Sequence, residues 1–447
     1  MPDLPTEIWR EIFDIAADDD FLLSPNMFGS MDECEWYGRW FLRTPQESLI
    51  VHLRETWFTK RAIVSTCRLW RQTGTEFLFR CILISSMLRL KSLCALLDKE
   101  FKLGWWTKRV HVYKDLRGPT KDLTFADLED GMTSLLRHCP NLTLFISDIP
   151  MERTFRSIAE TLYTFCPNTL RSFQCIMPHD AQSKAIVALH RMQGLESLRI
   201  EICAPDSDTE KSLYKAGGFI EVSLPELEDL CLRGFIQDFV EQVAEWHLPS
   251  LSSLCLDFGT NRHDFPDLLE FMSNHGPLLE TLDLRSLPTL DVPEILSICV
   301  NLHTFCFNLD WALGGTLTNT PHTNIQRLGL HGLRHAFGVG YIALLAAVRP
   351  FDSAIARRSN DSNFSALTRY EFPSLKVVRA LDPMLLKDLN AANGPKEGAC
   401  FDRWERWWDQ CARQGIRLED CTGSLLGTLP QDADEISEGS GEEDCDD

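Results

Sequence analysis

The residues best suited to chemistry in this chain are its 16 cysteines and 12 histidines. Thiolates and imidazoles bind zinc or act as nucleophiles when they stand at short, paired spacings. The sequence has no CxxC pair, and no cysteine–histidine group has zinc-ligand spacing. We therefore expect no metal site, and we expect free thiols packed in the interior of an intracellular protein.

A second chemical candidate is the stretch GVGYIA at 338–343, which fits the dinucleotide-binding pattern G-x-G-x-x-A. The dinucleotide-binding fold needs an acid about twenty residues after this pattern. The nearest acids to that position are Asp352 and Asp361. The sequence also has no nucleophile elbow, Walker A loop, HExxH helix or EF-hand loop. We expect no catalytic residue and no cofactor, so the chain is predicted not to be an enzyme.

Charge and hydropathy narrow the class of protein further. The net charge is −21, there is no basic block, and acids crowd the last residues at 432–447. Such a chain is poorly suited to binding nucleic acid or an anionic membrane. The N-terminus lacks a signal-peptide pattern, and the apolar run at 341–348 is too short to cross a bilayer. We expect a soluble intracellular protein, cytoplasmic and/or nuclear and not secreted.

The elements that position these residues repeat along the chain. The pattern L-x-x-L-x-L recurs six times, with starts at 195, 227, 251, 279, 302 and 325. Looser copies stand at 170, 375 and 142–146. Successive starts from 170 to 325 lie 23–32 residues apart, and the last gap, of 50 residues, has room for a further repeat.

The pattern predicts short strands joined by helices such as 238–246 and 267–275. Its fourth and sixth residues point to the same side of a strand, and one strand with one helix cannot bury that side alone. Stacked units can, which predicts an α/β solenoid. The pattern resembles the leucine-rich repeat. Turns with cysteine and asparagine make it similar to the cysteine-containing class, with the cysteine as a core plug; they lie at 138–142, 165–169 and 298–302.

The C-terminal region changes character. Residues 400–420 predict a helix, a turn at Gly415 and a strand, with one aromatic helix face. We interpret this unit as a cap that shields the end of the solenoid, the alternative being an aromatic ligand site. The acidic tail is predicted to be disordered. The face comprises Phe401, Trp404, Trp407, Trp408 and Cys411.

The N-terminal region predicts an amphipathic helix at 4–16 and a later helix that carries Ile63, Cys67 and Trp70. These helices offer more apolar surface than they can bury against each other, so part of it should bind a partner. The sequences Leu4-Pro5-Thr6-Glu7-Ile8 and Cys67-Arg68-Leu69-Trp70-Arg71 resemble the two ends of an F-box.

The two F-box halves are split by an insertion at about 17–58, an arrangement similar to F-boxes of mushroom-forming fungi. Residues 46–58 can supply the missing middle helix, or the segment from Ile63 onward can provide all of it. The insertion itself can be a loop or a lid on the docking face. The predicted domains are an F-box-like module (1–80), a leucine-rich-repeat solenoid (81–398), a helical cap (399–425) and the tail (426–447).

The resemblance implies a substrate-recognition adaptor that docks a Skp1-like protein, and through it a cullin–RING ubiquitin ligase, while the repeats hold a protein substrate. The alternative is a leucine-rich-repeat scaffold or inhibitor whose F-box is vestigial or serves another complex. The motif implies Skp1 contacts at Leu4, Pro5, Ile8, Cys67 and Trp70. The apolar helix face adds Trp9, Ile12 and Phe13.

Substrate candidates are the strand residues that alternate with the buried leucines, because they point to the concave side of a solenoid. Their charges are mixed, so neither an acidic nor a basic ligand is favoured. The alternative for each of them is a solvated salt-bridge ladder. They are Arg199, Glu201, Arg233, Asp257, Asp283, Arg285, Asn308, Arg327 and His331.

Overall fold

The structure is a computed structural model that divides into two compact units. Unit 1 comprises Met1–Met27 and Gln46–Leu278, and unit 2 comprises Phe28–Pro45 and Leu279–Asp447. The residues that the structure describes are 4–25, 29–34, 37, 43, 45–117, 125–151, 154–205, 221–258, 268–286, 291–311, 313, 316–333, 336–337, 348, 350–391 and 399–426.

Unit 1 begins with helices and continues as a parallel sheet. Its strands are β1 (Cys81–Ser86), β2 (Arg109–Arg117), β3 (Leu144–Pro150), β4 (Ser172–Met177), β5 (Ser197–Ile202), β6 (Asp229–Gly234) and β7 (Ser253–Asp257). Its helices are α1 (Thr6–Ala17), α2 (Asp20–Leu23), α3 (Pro45–Thr66), α4 (Arg68–Arg80), α5 (Met87–Lys99), α6 (Phe125–Arg137), α7 (Phe155–Phe165), α8 (Gln182–Leu189), α9 (Gln237–Val243) and α10 (Leu268–His275).

Unit 2 repeats the same alternation of strand and helix. Its strands are β8 (Thr281–Ser286), β9 (Thr304–Asn308), β10 (Arg327–His331), β11 (Val377–Ala380) and β12 (Arg417–Glu419). Its helices are α11 (Val292–Ile298), α12 (Pro350–Ser365), α13 (Pro383–Ala391) and α14 (Ala399–Arg413). The two units together make an α/β protein whose described strands run parallel in chain order.

The sheet register explains the predicted leucine pattern. Within unit 1, Leu198 lies opposite Leu230, which lies opposite Leu254, and all three are fully buried. The residue two positions on in each strand forms a second buried row. Each strand therefore contributes alternate residues to one continuous apolar layer, as the fourth and sixth positions of the repeat predict.

The cysteines of the repeat turns are buried, as predicted. Cys139, Cys166 and Cys299 are buried in the core, and none of them forms a disulfide. The Cys166 thiol donates to the Cys139 carbonyl at 3.3 Å, so one repeat turn contacts the next. Burial raises the pKa of Cys139 to about 12 and that of Cys166 to about 11, which keeps both thiols protonated and inert.

Across the wide gap before the last sequence repeat, β10 pairs directly with β11, with Leu328 opposite Val378. Helix α12 lies between these two strands in the chain, and among the described residues of this stretch no further strand is found. The pattern at 338–343 and most of the apolar run at 341–348 lie outside the described residues.

The C-terminal helix and strand match their prediction. In α14, Trp404, Trp407 and Cys411 are buried, and Trp407 stacks on Phe364 with ring centroids 4.1 Å apart. Gly415 ends the helix with a φ of 63°, a conformation that favours glycine. The chain then enters β12, which pairs with β11.

Candidate partner-binding surfaces

The N-terminal helical module consists of α1, α4 and the end of α3. Phe13 and Ala17 of α1 pack with Ile63 and Phe77 to form a small, fully buried core. Trp70 closes this core, with its ring 5.0 Å from that of Phe13. The aromatic residues at the two ends of the predicted module therefore pack against each other.

A charged clamp fixes the two helices. Arg80 at the end of α4 donates to Asp14 of α1 and, at 2.7 Å, to Glu76. Arg10 of α1 donates to the same Glu76 carboxylate at 2.5 Å. Arg80 also lies over the Phe77 ring at 4.1 Å from its centroid. Arg80 therefore contacts both the apolar core and the acidic side chains.

The opposite face of α1, together with Leu4 just before the helix, carries an exposed apolar row, which we call the α1 stripe: Leu4, Ile8, Ile12 and Ile15. Their exposed fractions are 36%, 39%, 41% and 82%. Residues three and four positions apart lie on one side of a helix, so these side chains form a continuous surface. In soluble proteins in general, contiguous exposed apolar surface of this kind is associated with interaction sites.

The structure divides the eight residues predicted to bind the adaptor. Phe13 is buried and Trp9 and Trp70 are half-buried, all three packing within the module. Leu4, Pro5, Ile8, Ile12 and Cys67 are exposed. Cys67 also begins α4, because its sulfur accepts the Trp70 N–H at 3.4 Å.

Sequence reasoning missed the exposed apolar residues Ile15 of α1 and Leu69 of α4. Leu69 is 46% exposed. Ile15 could have been found from its three-residue spacing after Ile12. Nothing in the local sequence separates the exposed Leu69 from the packed Trp70 beside it.

The remainder of the helical region covers the first strands. Leu22 of α2 and Ile50 and Leu53 of α3 pack on Cys81 and Leu83 of β1. Buried Arg109 of β2 donates to the Leu22 carbonyl at 2.6 Å. Residues 46–58 are part of the long helix α3. Helices α2 and α3 of unit 1 cover the face of β1 that carries Cys81 and Leu83.

The substrate candidates of unit 1 lie on β5, β6 and β7. Arg199, Glu201, Arg233 and Asp257 are all half-buried. The register places Glu201 opposite Arg233 and Arg233 opposite Asp257, and the Arg233 guanidinium donates to Asp257 at 3.4 Å. These contacts fit a salt-bridge ladder as well as a binding face.

The substrate candidates of unit 2 lie on what we call the polar face, the side of β8–β12 opposite the buried repeat residues. The register aligns Asp283, Cys306, Gly329, Arg379 and Glu419 across the five strands. The chain's own residues Ser30–Glu33 lie on this row. No local sequence pattern predicts that placement.

Asp283 is the centre of the polar face. Its carboxylate accepts hydrogen bonds from Ser30 and, at 2.7 Å, from His331, and Arg285 lies at 3.3 Å. Burial acts to raise the pKa of Asp283, but the charges of His331 and Arg285, with the bonds from His331 and Ser30, hold it well below its usual range.

The other three candidates of unit 2 are also engaged. Arg327 donates to Asp32 at 2.8 Å, and Arg285 donates to Ser30 at 2.7 Å. The Asn308 side chain donates to the Arg285 carbonyl at 3.4 Å. The structure thus brings all five unit 2 candidates to one face. The segment Ser30–Glu33 contacts three of them directly and reaches His331 through Asp283.

Among the described residues, no group of three or more histidines, cysteines and acids is placed to hold a metal ion. Across that same part of the chain, no helix combines the length and the apolar character needed to cross a membrane.

Comparison with protein-family models gives no match for this chain. Comparison with curated protein sequences gives none either.

Proposed function

We propose that this chain is the substrate-recognition adaptor of a Skp1–cullin–F-box ubiquitin ligase. In this proposal the N-terminal helical module is a split F-box that docks a Skp1-like adaptor, and the leucine-rich repeats hold a protein substrate. The observation that carries the proposal is the α1 stripe. It leaves apolar side chains exposed on the helix that carries the Leu4-Pro5-Thr6-Glu7-Ile8 motif.

The division of α1 into two faces supports docking. Single exposed aliphatic side chains are ordinary, but Ile8, Ile12 and Ile15 form a contiguous exposed row beside a complete core, which is the informative case. Short apolar rows on a helix are a common way to bind a partner helix or groove. A partner that covers this row gains the hydrophobic free energy that folding has left unused.

The mechanism in this proposal is positioning. An adaptor raises the effective concentration of a bound substrate near the ligase's charged enzyme, and it needs no reacting group of its own. A parallel sheet with one polar face suits this task, because a rigid row of side chains can hold a peptide in one orientation.

Co-expression tests the proposal. The full chain is produced with a Skp1 from a mushroom-forming fungus and passed over a sizing column. We expect a one-to-one complex of the chain with Skp1. The variant Ile8→Asp/Ile12→Asp should elute alone, while Glu11→Ala, on an exposed position of the same helix, should behave as wild type.

Failure of the wild-type chain to bind Skp1 would point to the second reading, a repeat scaffold or inhibitor in which the F-box-like halves serve only the fold. The variants separate these readings because Ile8 and Ile12 lie outside the module's core.

A further inference from the structure

The segment Gly29–Cys34 occupies the polar face of unit 2 in the way that a bound peptide occupies a receptor. We propose that this face is a peptide-binding site, that Ser30–Glu33 is its built-in ligand, and that an acidic partner segment with the pattern hydroxyl, methionine, acid, acid binds there when the built-in ligand is displaced.

A fitted pocket receives Met31. Its side chain is buried among Cys306, Leu381 and Val377. The pocket exists because β10 has glycine at the aligned position. A Cβ placed on Gly329 would lie 2.5 Å from the Cys306 sulfur and 3.1 Å from the Met31 sulfur. An unbranched, polarizable methionine side chain suits such a narrow space.

Main-chain recognition accompanies the pocket. The Met31 carbonyl accepts hydrogen bonds from Arg379 and, at 3.3 Å, from Arg327. Arg379 is itself held by Glu419, to which it donates at 2.6 and 3.0 Å. A guanidinium fixed beforehand by a neighbour costs less to order when a ligand arrives.

Charge complementarity selects the flanking residues. Arg327 donates to Asp32 at 2.8 Å, and Arg285 lies 3.7 Å from Glu33. Ser30 fills the space between Asp283 and Arg285, donating to the first and accepting from the second. A hydroxyl suits that position because it can do both.

The segment also keeps its own shape, as a ligand does. Glu33 N–H and Asp32 N–H both donate to the Gly29 carbonyl, at 3.2 and 2.8 Å. Further along, Tyr37 packs on Leu386 and Cys421. The contacts with the strands thus come from a compact turn followed by one aromatic anchor.

A tethered ligand competes through its effective concentration, which is on the order of millimolar for a short flexible connection. An external peptide with the same contacts then binds weakly to the native chain and more strongly to a chain whose segment has been weakened. The biological meaning of the site rests on the proposed function, since the same face would hold the ligase substrate. The test below uses no Skp1, so its failure is separate from a failure of docking.

The experiment measures binding of a labelled peptide with the sequence of residues 29–37 to the full-length protein by fluorescence anisotropy. In the variant Met31→Gly/Asp32→Gly, the built-in ligand has lost its pocket group and its ion pair. We expect this variant to bind the peptide at least ten-fold more tightly than wild type does.

Two further changes in that variant locate the binding. Adding Gly329→Leu should fill the methionine pocket and weaken peptide binding at least ten-fold, whereas Val300→Leu, at an exposed position of unit 2, should change nothing. Adding Arg327→Glu should weaken binding of the same peptide, and a peptide with lysine in place of aspartate at position 32 should restore it.

Three results would overturn the proposal. One is equal peptide affinity of wild type and the Met31→Gly/Asp32→Gly variant, including no binding to either. Another is a peptide affinity that changes neither with Gly329→Leu nor with the charge exchange at Arg327. The third is loss of folded circular dichroism in the Met31→Gly/Asp32→Gly variant, because the segment would then be a permanent part of the core.

Discussion

The residue that most depends on its surroundings is Asp283. It is nearly fully buried, and its charge is balanced by His331 and Arg285 and by a hydrogen bond from Ser30. Removing one partner of a buried charge network leaves the others unpaired in a poorly solvated place. The cost of such a removal therefore exceeds the value of any single contact.

We predict that Asp283→Ala lowers the free energy of unfolding by about 3 kcal/mol, because it removes the buried carboxylate to which Ser30, His331 and Arg285 donate. Urea denaturation at neutral pH measures the loss. Glu280→Ala, at an exposed position before β8, is the matched control and should stay within about 0.5 kcal/mol of wild type. A loss as small as the control's would contradict this description of the network.

The stability difference between wild type and Asp283→Ala should also depend on pH. The pKa of Asp283 is lower in the folded protein than in the unfolded chain, so its contribution is complete above the unfolded value of about 4. It should shrink as the pH falls below that value toward the folded pKa. Denaturation of both proteins at several pH values checks this, and a difference that grows on acidification would refute it.

Thiol reactivity separates the cysteines by position. Cys67 is exposed at the start of α4, whereas Cys139 and Cys299 are buried and burial raises the pKa of both to about 12. We predict that iodoacetamide at pH 8 modifies Cys67 in the native protein long before it modifies the other two. Peptide mass spectrometry over time measures the order, and labelling of Cys139 at the Cys67 rate would show that the repeat turns are not closed.

At the scale of elements, α1 is the clearest case of one helix with two roles. Phe13 lies in the module's core, while its neighbour Ile12 is 41% exposed on the α1 stripe. The two residues are adjacent in sequence and have similar hydrophobicity. Only the packing against α4 separates the buried residue from the one that we propose for docking.

We predict that Phe13→Ala destabilises unit 1 by about 3 to 5 kcal/mol, the usual cost of emptying a buried aromatic site. Ile12→Ala should change stability by less than about 0.5 kcal/mol, because its side chain is largely in water already. Chemical denaturation followed by circular dichroism compares the two variants. Equal losses would mean that the α1 stripe belongs to the core.

The elements differ in how far the sequence predicts them. The L-x-x-L-x-L pattern is local, so the strands and their buried rows follow from it directly. Gly415 and the aromatic face of α14 predict the terminal helix and strand for the same reason. The position of Ser30 beside Asp283 does not follow, because the two residues are 253 apart in the sequence and no local pattern links them.

At the scale of the whole molecule, each unit joins a repeated framework to one added segment. The framework is the parallel sheet, whose register repeats from strand to strand and is therefore predictable. The added segments are α2 with α3 on the β1–β2 face in unit 1, and Ser30–Glu33 on the polar face in unit 2. Both segments lie between the two helices that the sequence predicts in the N-terminal region, but their positions against the strands depend on side-chain contacts that no local pattern encodes.

Function at this scale follows from which surfaces stay available. The α1 stripe is exposed, whereas the polar face of unit 2 already holds a segment of the chain. We therefore predict that the α1 stripe is a constitutive docking surface and that the polar face of unit 2 is a competitive site. The constitutive surface is the central claim, because the ligase assignment depends on it.

The most direct measurement of that claim is a calorimetric titration of purified Skp1 into the full chain and into the Ile8→Asp/Ile12→Asp variant, after circular dichroism has shown that both are folded. The account predicts one-to-one binding by wild type, with affinity reduced at least a hundred-fold in the variant and unchanged in Glu11→Ala. Equal binding by wild type and the double variant, or no binding by wild type, would contradict it.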